Sequence, residues 1–226
     1  MAVGNAGERR VEAIVLLGAP GAGKGTTAEG IVGKTRYIHL ATGDMLREAV
    51  KNRSALGVQA EGFMKRGELV PDDVIVKIVE ERISGGSKDS WYMFDGFPRT
   101  LEQAKLLEAS VKNLGGRVTH VFYLDAPREL LISRLTGRRI CRKCGRNFHM
   151  INIPPKKEGV CDLCGGELYQ RADDQQETIL NRLEVFTKQT ESLVAHYEKE
   201  GILCRIDSSQ HRDLITGRIL GMLKKQ

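Results

Sequence analysis

At 226 residues the chain is long enough for one large core, or for a core carrying small appended lobes. Hydrophobic residues at 41% and charged residues at 28% suit a soluble globular protein, and apolar runs such as Ala13 to Leu17 are far too short to cross a bilayer. The net charge of +6 favours phosphate-bearing partners, whether nucleotides, nucleic acid or lipid headgroups, without choosing among them.

The opening MAVGNAGERR has no apolar segment ahead of its arginines, which reads as a short frayed tail rather than a secretory signal and points to the cytoplasm. A β-rich apolar run follows at Glu12–Leu17, and similar runs recur at Arg36–Leu40, Trp91–Asp95, Val118–Leu124 and Ile202–Ile206. Helical spacing fills the intervals, with Leu101, Leu106 and Leu107 in one segment and Ile179, Leu180, Leu183, Phe186, Leu193, Val194 and Tyr197 in another. Pro71 with Asp72 and Asp73 opens one helix and Pro127 another. Asp174, three residues before Glu177, resembles a capping box for the long helix after it. Strands alternating with helices imply an α/β fold, a parallel five-stranded sheet with helices on both faces.

Two stretches interrupt that alternation. Residues 42–70 read as helical, punctuated by Gly57, Gly62 and Gly67, and residues 137–174 carry Gly, Pro and paired cysteines. Both are expected to be insertions on a core made of residues 1–41, 71–136 and 175–226. No internal repeat is visible, and Asn52-Arg53-Ser54 matches a glycosylation acceptor by chance.

After the first strand comes Gly18-Ala-Pro-Gly21-Ala22-Gly23-Lys24-Gly25-Thr26. Glycines let the backbone curl so that successive N–H groups face an anion, and the following helix adds its positive end. Lys24 brings a full charge for the β- and γ-phosphates. The usual pattern places Ser or Thr directly after the lysine to touch magnesium; here Gly25 intervenes before Thr26.

Four of the five cysteines form two pairs, Cys141/Cys144 and Cys161/Cys164, while Cys204 stands alone in an apolar run and is expected to be buried. The spacing C-x2-C-x16-C-x2-C fits a four-thiolate structural zinc site, since each tight turn presents two sulfurs and Gly145, Gly165 and Gly166 give the turns freedom. Two disulfides or redox dithiols are the other chemistry this spacing allows, and iron or cobalt could replace zinc. His149 lies near the cluster as an alternative ligand.

The loop GxPGxGKGT resembles that of the adenylate kinase family, and the likeness continues in family order. It covers Thr42-Gly43-Asp44-Met45-Leu46-Arg47, Gly67-Glu68-Leu69-Val70, Asp95-Gly96-Phe97-Pro98-Arg99, Gln103, Gly137-Arg138-Arg139, Arg171-Ala172-Asp173-Asp174 and Arg182. The chain is similar in particular to the long-lid bacterial type. This implies a P-loop nucleoside monophosphate kinase fold, with residues 42–70 as an AMP-binding lobe and 137–174 as a zinc-binding lid.

The resemblance also implies the site. Gly21, Ala22, Gly23, Lys24, Gly25, Thr26, Arg134, Arg138 and the backbone at Ser208 bind ATP, with Arg134 against the adenine. Arg47 and Arg99 grip the AMP phosphate with planar forks of donors, Thr42 and Gln103 lie against its adenine, and Glu68, Val70 and Gly96 complete that pocket. Lys24, Arg138, Arg171 and Arg182 surround the transferring group, Arg171 and Arg182 also facing AMP, and Asp95 holds the magnesium shell through water. Asp173 and Asp174 pair with lid arginines. ATP, AMP and ADP are the expected partners of a monomer, with Mg2+ and structural Zn2+ as cofactors and no nucleic acid or membrane.

The sequence departs from the family near the adenine of ATP. Phe148 lacks a hydroxyl, Asn152-Ile153 stand where Phe-Asn is common, and Ile206-Asp207-Ser208 stand where Val-Asp-Gly is common. Thr42 and Gln103 argue against a kinase of another monophosphate. Aromatic residues at 5%, with no stacking motif, argue against a zinc-ribbon nucleic-acid binder.

Overall fold

The computed structural model describes residues 11–84 and 90–224; the N-terminal tail expected from the sequence lies outside them. Five strands form one parallel sheet: β1 (Glu12–Leu17), β2 (Tyr37–Ala41), β3 (Trp91–Asp95), β4 (Arg117–Asp125) and β8 (Leu203–Asp207), in the order β2-β3-β1-β4-β8. The expected runs match these strands to within a residue at each end. β1 lies at the centre because both its faces are apolar: Ala13, Val15 and Leu17 enter one core cluster, Ile14 and Leu16 the other.

Helices cover each face. Val74, Ile75, Ile78, Val79 and Ile83 of α4 (Asp72–Ser84) join Ala104, Leu107 and Val111 of α5 (Leu101–Asn113) in the first cluster. On the other face lie α1 (Lys24–Val32), α6 (Arg128–Thr136) and α8 (Arg212–Leu223), through Ile31, Leu131, Leu135, Ile215 and Ile219. The long α7 (Gln176–Lys199) serves both, giving Ile179 and Leu183 to this second cluster and Leu193, Val194 and Tyr197 to the first. Leu180 on the same helix is exposed, at 39%.

Between β2 and α4 lie α2 (Thr42–Lys51) and α3 (Ala55–Arg66). The Asn52-Arg53-Ser54 tripeptide is the corner between them: Arg53 turns with φ 53°, and the Ser54 side chain caps α3 by accepting from Gly57 N–H at 3.1 Å. Gly57 and Gly62 do not interrupt the helix as expected; both sit inside α3, and only Gly67 ends it, with φ 72°.

A second sheet was not legible from periodicity, because its strands are only two to four residues long. β5 (Arg138–Cys141) pairs antiparallel with β6 (Asn147–His149) and β7 (Leu168–Tyr169). The capping box at Asp174 is also corrected. Asp174 ends a short 3-10 turn (Ala172–Asp174), Gln175 is the cap residue of α7, and the Asp174 carboxylate is spent on two arginines instead of backbone N–H groups. Cys204 is half-buried rather than fully buried.

Gly57 marks the tightest helix contact. A Cβ there would stand 2.1 Å from the Ala49 carbonyl oxygen, on the backbone of α2. Gly57→Ala is therefore expected to lower stability in urea unfolding by about 1–3 kcal/mol. Gly217→Ala, in α8 with nothing within 4 Å, is expected to raise it by up to about 1 kcal/mol. A Gly57→Ala chain as stable as the parent would refute the close α2–α3 packing.

Candidate active site

The strand order reverses beside β1, and the carboxyl ends of the strands there are where open α/β sheets bind ligands. The loop leaving β1 curls through Gly21 and Gly23, at φ 86° and 90°, conformations that L side chains resist. It delivers Lys24 as the first residue of α1. The Lys24 ammonium donates to the carbonyls of Gly18 at 2.7 Å and Ala19 at 3.1 Å. Burial pulls its pKa down to about 8; Asp95 works against that shift, while Arg99, Arg182 and Arg138 add to it.

Two cavities open from this loop. The wider, of about 660 Å³, is lined by Gly21, Ala22, Gly23, Gly25, Thr26, Asp95, Arg134, Arg138, Arg171 and Ser208. The narrower holds Thr42, Glu68, Val70 and Gln103. Lys24, Arg47, Gly96, Arg99 and Arg182 line both, so the cavities meet end to end at four cationic side chains. Every residue expected to bind a nucleotide thus lies on one cavity or on their junction. The second sheet lines the wider cavity through Arg138, Asn147, Phe148 and His149, and Asn147 Nδ2 donates to Glu29 Oε1 of α1 at 3.2 Å.

Carboxylates fix the arginines. Asp174, wholly buried, accepts from Arg138 Nε at 2.8 Å and Arg182 Nη1 at 3.2 Å, and Asp173 pairs with Arg182 at 3.0 Å. Asp44 accepts from Arg47 Nε at 3.2 Å and from Arg171 Nη2 at 3.2 Å. Burial works to raise Asp173 and Asp44, but Arg182 and Arg47 respectively lead the arginines that hold each below its ordinary value. Burial, then Arg182, lowers Arg99 to about 10; burial, then Arg47 and Arg138, lowers Arg171 to about 10. Both remain protonated at neutral pH. Arg171 Nε is buried with no acceptor. The junction therefore holds more cation than its own carboxylates neutralise, which is what a polyphosphate would complete.

The polar groups of each cavity are also fixed. Thr42, buried, donates its hydroxyl to the Gly96 carbonyl at 3.0 Å. Arg134 Nη2 donates to the Ser208 carbonyl at 2.8 Å, and Ser208 Oγ donates to the Asp125 carbonyl at 2.9 Å. Sequence reasoning missed three supporting residues. His39 Nε2 lies 3.2 Å from Asp95 Oδ2, Thr190 Oγ1 donates to the Arg99 carbonyl at 3.3 Å, and Asp72 accepts from Gln103. None had a local signal; each partner is brought in by tertiary packing.

The four paired cysteines converge, their Sγ atoms all within 4.8 Å of one another. Cys141 and Cys164 stand 3.4 Å apart, Cys144 and Cys161 3.6 Å, close to the roughly 3.8 Å edge of a tetrahedron with metal–sulfur bonds of about 2.3 Å. Burial works to raise the Cys141 thiol, but the N–H groups of Cys144 and Lys143, with the neighbouring thiols, bring it down to about 6. Donor set and spacing fit a closed four-sulfur metal site. His149 is not part of it: its Nε2 faces the Ser133 carbonyl at 3.2 Å, and its Nδ1 accepts from the N–H groups of Ile151 and Asn152. Phe148 packs among Cys141, Cys161 and Leu168.

A phosphate loop opening onto two cavities that share their cations, on a five-stranded parallel sheet, defines a nucleoside monophosphate kinase. The adenylate kinase family profile matches residues 16–202. Adenylate kinase of Carboxydothermus hydrogenoformans is 47% identical over 212 residues, covering 94% of this chain and 99% of that one. Adenylate kinase of a Geobacillus species is 48% identical, covering 93% and 97%, and that of Bacillus pumilus 50% identical, covering 88% and 91%. The chain belongs to the adenylate kinase family.

The low pKa of Lys24 has a measurable consequence. A nucleotide polyphosphate favours the charged lysine, so binding raises its pKa from about 8. Calorimetry in buffers of different ionisation enthalpy should show ATP binding taking up close to one proton at about pH 9, far less at about pH 7, with affinity falling above about pH 8. Proton uptake that does not rise over this range would show that Lys24 is fully charged throughout.

Proposed function

We propose that the chain transfers a phosphoryl group reversibly from MgATP to AMP, giving two ADP and so maintaining adenine nucleotide balance, with ATP in the wider cavity and AMP in the narrower. The observation that carries this arrangement is the shared wall: Lys24, Arg47, Arg99 and Arg182 face both cavities. A donor and an acceptor phosphate placed there lie end to end, which supplies the alignment and charge neutralisation that phosphoryl transfer needs.

Arg47 and Arg99 grip the acceptor phosphate, and Lys24, Arg138, Arg171 and Arg182 neutralise the equatorial oxygens of the transferring group. The backbone N–H groups from Gly21 to Thr26 hold the donor phosphates, while Arg134, held by Ser208, packs on the donor adenine. Thr42, Gln103, Glu68, Val70 and Gly96 enclose the acceptor. No general base is required, because the acceptor phosphate is already ionised near neutral pH. Asp95, which lines the wider cavity, would hold the hydration shell of Mg2+ through water. When bound, that ion neutralises phosphate charge.

Residues 42–70 serve as the AMP lobe and 137–174 as the lid, which lines the donor cavity through Arg138, Asn147 and Phe148 and reaches Glu29 of α1 from Asn147; its closing would exclude water. Cys141, Cys144, Cys161 and Cys164 hold Zn2+ as a structural ion, since four protein ligands leave no open position for catalysis. The chain acts as a cytoplasmic monomer. Among the described residues no helix is long and apolar enough to cross a membrane.

One coupled assay tests this reading: ADP formed from ATP and AMP in excess Mg2+, before and after the cysteine-bound metal is stripped by a chelator that is then dialysed away. ADP is expected only when both nucleotides are present, and UMP or CMP should be poor acceptors. Chelation should lower the thermal midpoint before it lowers activity at about 25 °C. Failure to make ADP from AMP, or immediate loss of activity with an unchanged melt, would overturn the proposal.

A further inference from the structure

Asp72 is the first residue of α4 and lies outside the phosphate machinery. Its two carboxylate oxygens are both engaged with the start of α5. Oδ1 accepts from Gln103 Nε2 at 2.6 Å, and Oδ2 accepts from the Thr100 hydroxyl at 3.2 Å. Thr100 is the cap residue of α5 and accepts from Gln103 N–H at 3.2 Å. On the other side of the same amide, Gln103 Oε1 accepts from Arg99 N–H at 2.8 Å.

This network leaves the Gln103 amide only one orientation. A carboxylate can only accept and a backbone N–H can only donate, so Nε2 must face Asp72 and Oε1 must face Arg99. Flipping the amide would set an NH2 against an N–H and an oxygen against a carboxylate. Gln103 is 2% exposed and lines the narrower cavity, so no water shell offers it another arrangement. The amide keeps one N–H and one oxygen lone pair beyond these bonds.

We propose that Asp72 sets acceptor-base specificity by locking the polarity of the Gln103 amide. The inference rests on the reading that Gln103 faces the base of the acceptor nucleotide. Adenine offers an amino donor at C6 beside a ring-nitrogen acceptor, and a locked amide that accepts with Oε1 and donates with Nε2 matches that pair. Hypoxanthine, guanine and uracil present a carbonyl oxygen beside a ring N–H, the reverse pattern. A free amide could flip to read them; one held by Asp72 and Arg99 cannot, and it leaves their polar atoms unpaired in a buried pocket. Asp72 is thus a positioning residue, acting through Gln103 without touching substrate.

The test is the ratio of kcat/KM for AMP to kcat/KM for inosine monophosphate, which differs from AMP at C6 and in the N1 proton. Asp72→Ala should lower the ratio by about tenfold or more. Asp72→Asn, whose amide oxygen can still accept from Gln103, should keep most of it. A purely structural role through charge at the α4 N-terminus would shift the melting of both variants alike and leave the ratio alone. Asp72→Val supplies the same reading should the alanine variant fail to fold, because the ratio is taken on active enzyme. Gln103→Leu separates the two ideas. If it collapses the ratio while Asp72→Ala does not, the lock is refuted; if neither moves the ratio, Gln103 does not read the base and both readings fall.

Discussion

The constraint on which the rest of the site depends is a surplus of buried positive charge at the meeting point of two cavities. Lys24, Arg47, Arg99 and Arg182 face it, with Arg138 and Arg171 on the wider side. Like charges at this density repel and resist burial, which is why Lys24, Arg99 and Arg171 all fall below their ordinary pKa values. Asp44, Asp173 and Asp174 hold the guanidinium groups in place without neutralising them all. Arranged donors that wait for an anion need little reorganisation when charge develops on a transferring phosphoryl group.

The fold makes this arrangement possible by bringing distant segments to one edge of the sheet. β1 delivers Lys24, β3 delivers Asp95 and the loop to Arg99, and the start of α7 with the turn before it delivers Asp173, Asp174 and Arg182. β1 is buried on both faces, so the phosphate loop stands on the most enclosed strand of the molecule. The second sheet packs only a small cluster around Cys141, Phe148, Cys161 and Leu168, where a metal can replace the core that so short a segment lacks.

Much of this was legible in the sequence because the relevant signals are local. The five strands are apolar runs, the phosphate loop is a contiguous motif, and the cysteine pairs announce themselves by spacing. What escaped was whatever depends on a partner remote in the chain. Asp174 followed by Glu177 imitates a helix cap, yet the Asp174 carboxylate prefers two arginines, one of them 36 residues upstream. Gly57 and Gly62 look like breaks but sit inside α3, where Gly57 admits the backbone of α2. The bonds from Asp72 to Gln103 and from His39 to Asp95 join residues 31 and 56 apart in the chain, which no window of sequence reveals. The second sheet was hidden because strands of two to four residues have no measurable period.

The central claim is that the donor's polyphosphate and the acceptor's phosphate share one cluster of cations. Titration calorimetry with a single molecule in which two adenosines are joined by a chain of five phosphates tests it most directly. One such molecule should bind per chain, far more tightly than ATP or AMP alone, and should displace both. Binding of two molecules per chain, or displacement of only one nucleotide, would mean that the two cavities do not meet.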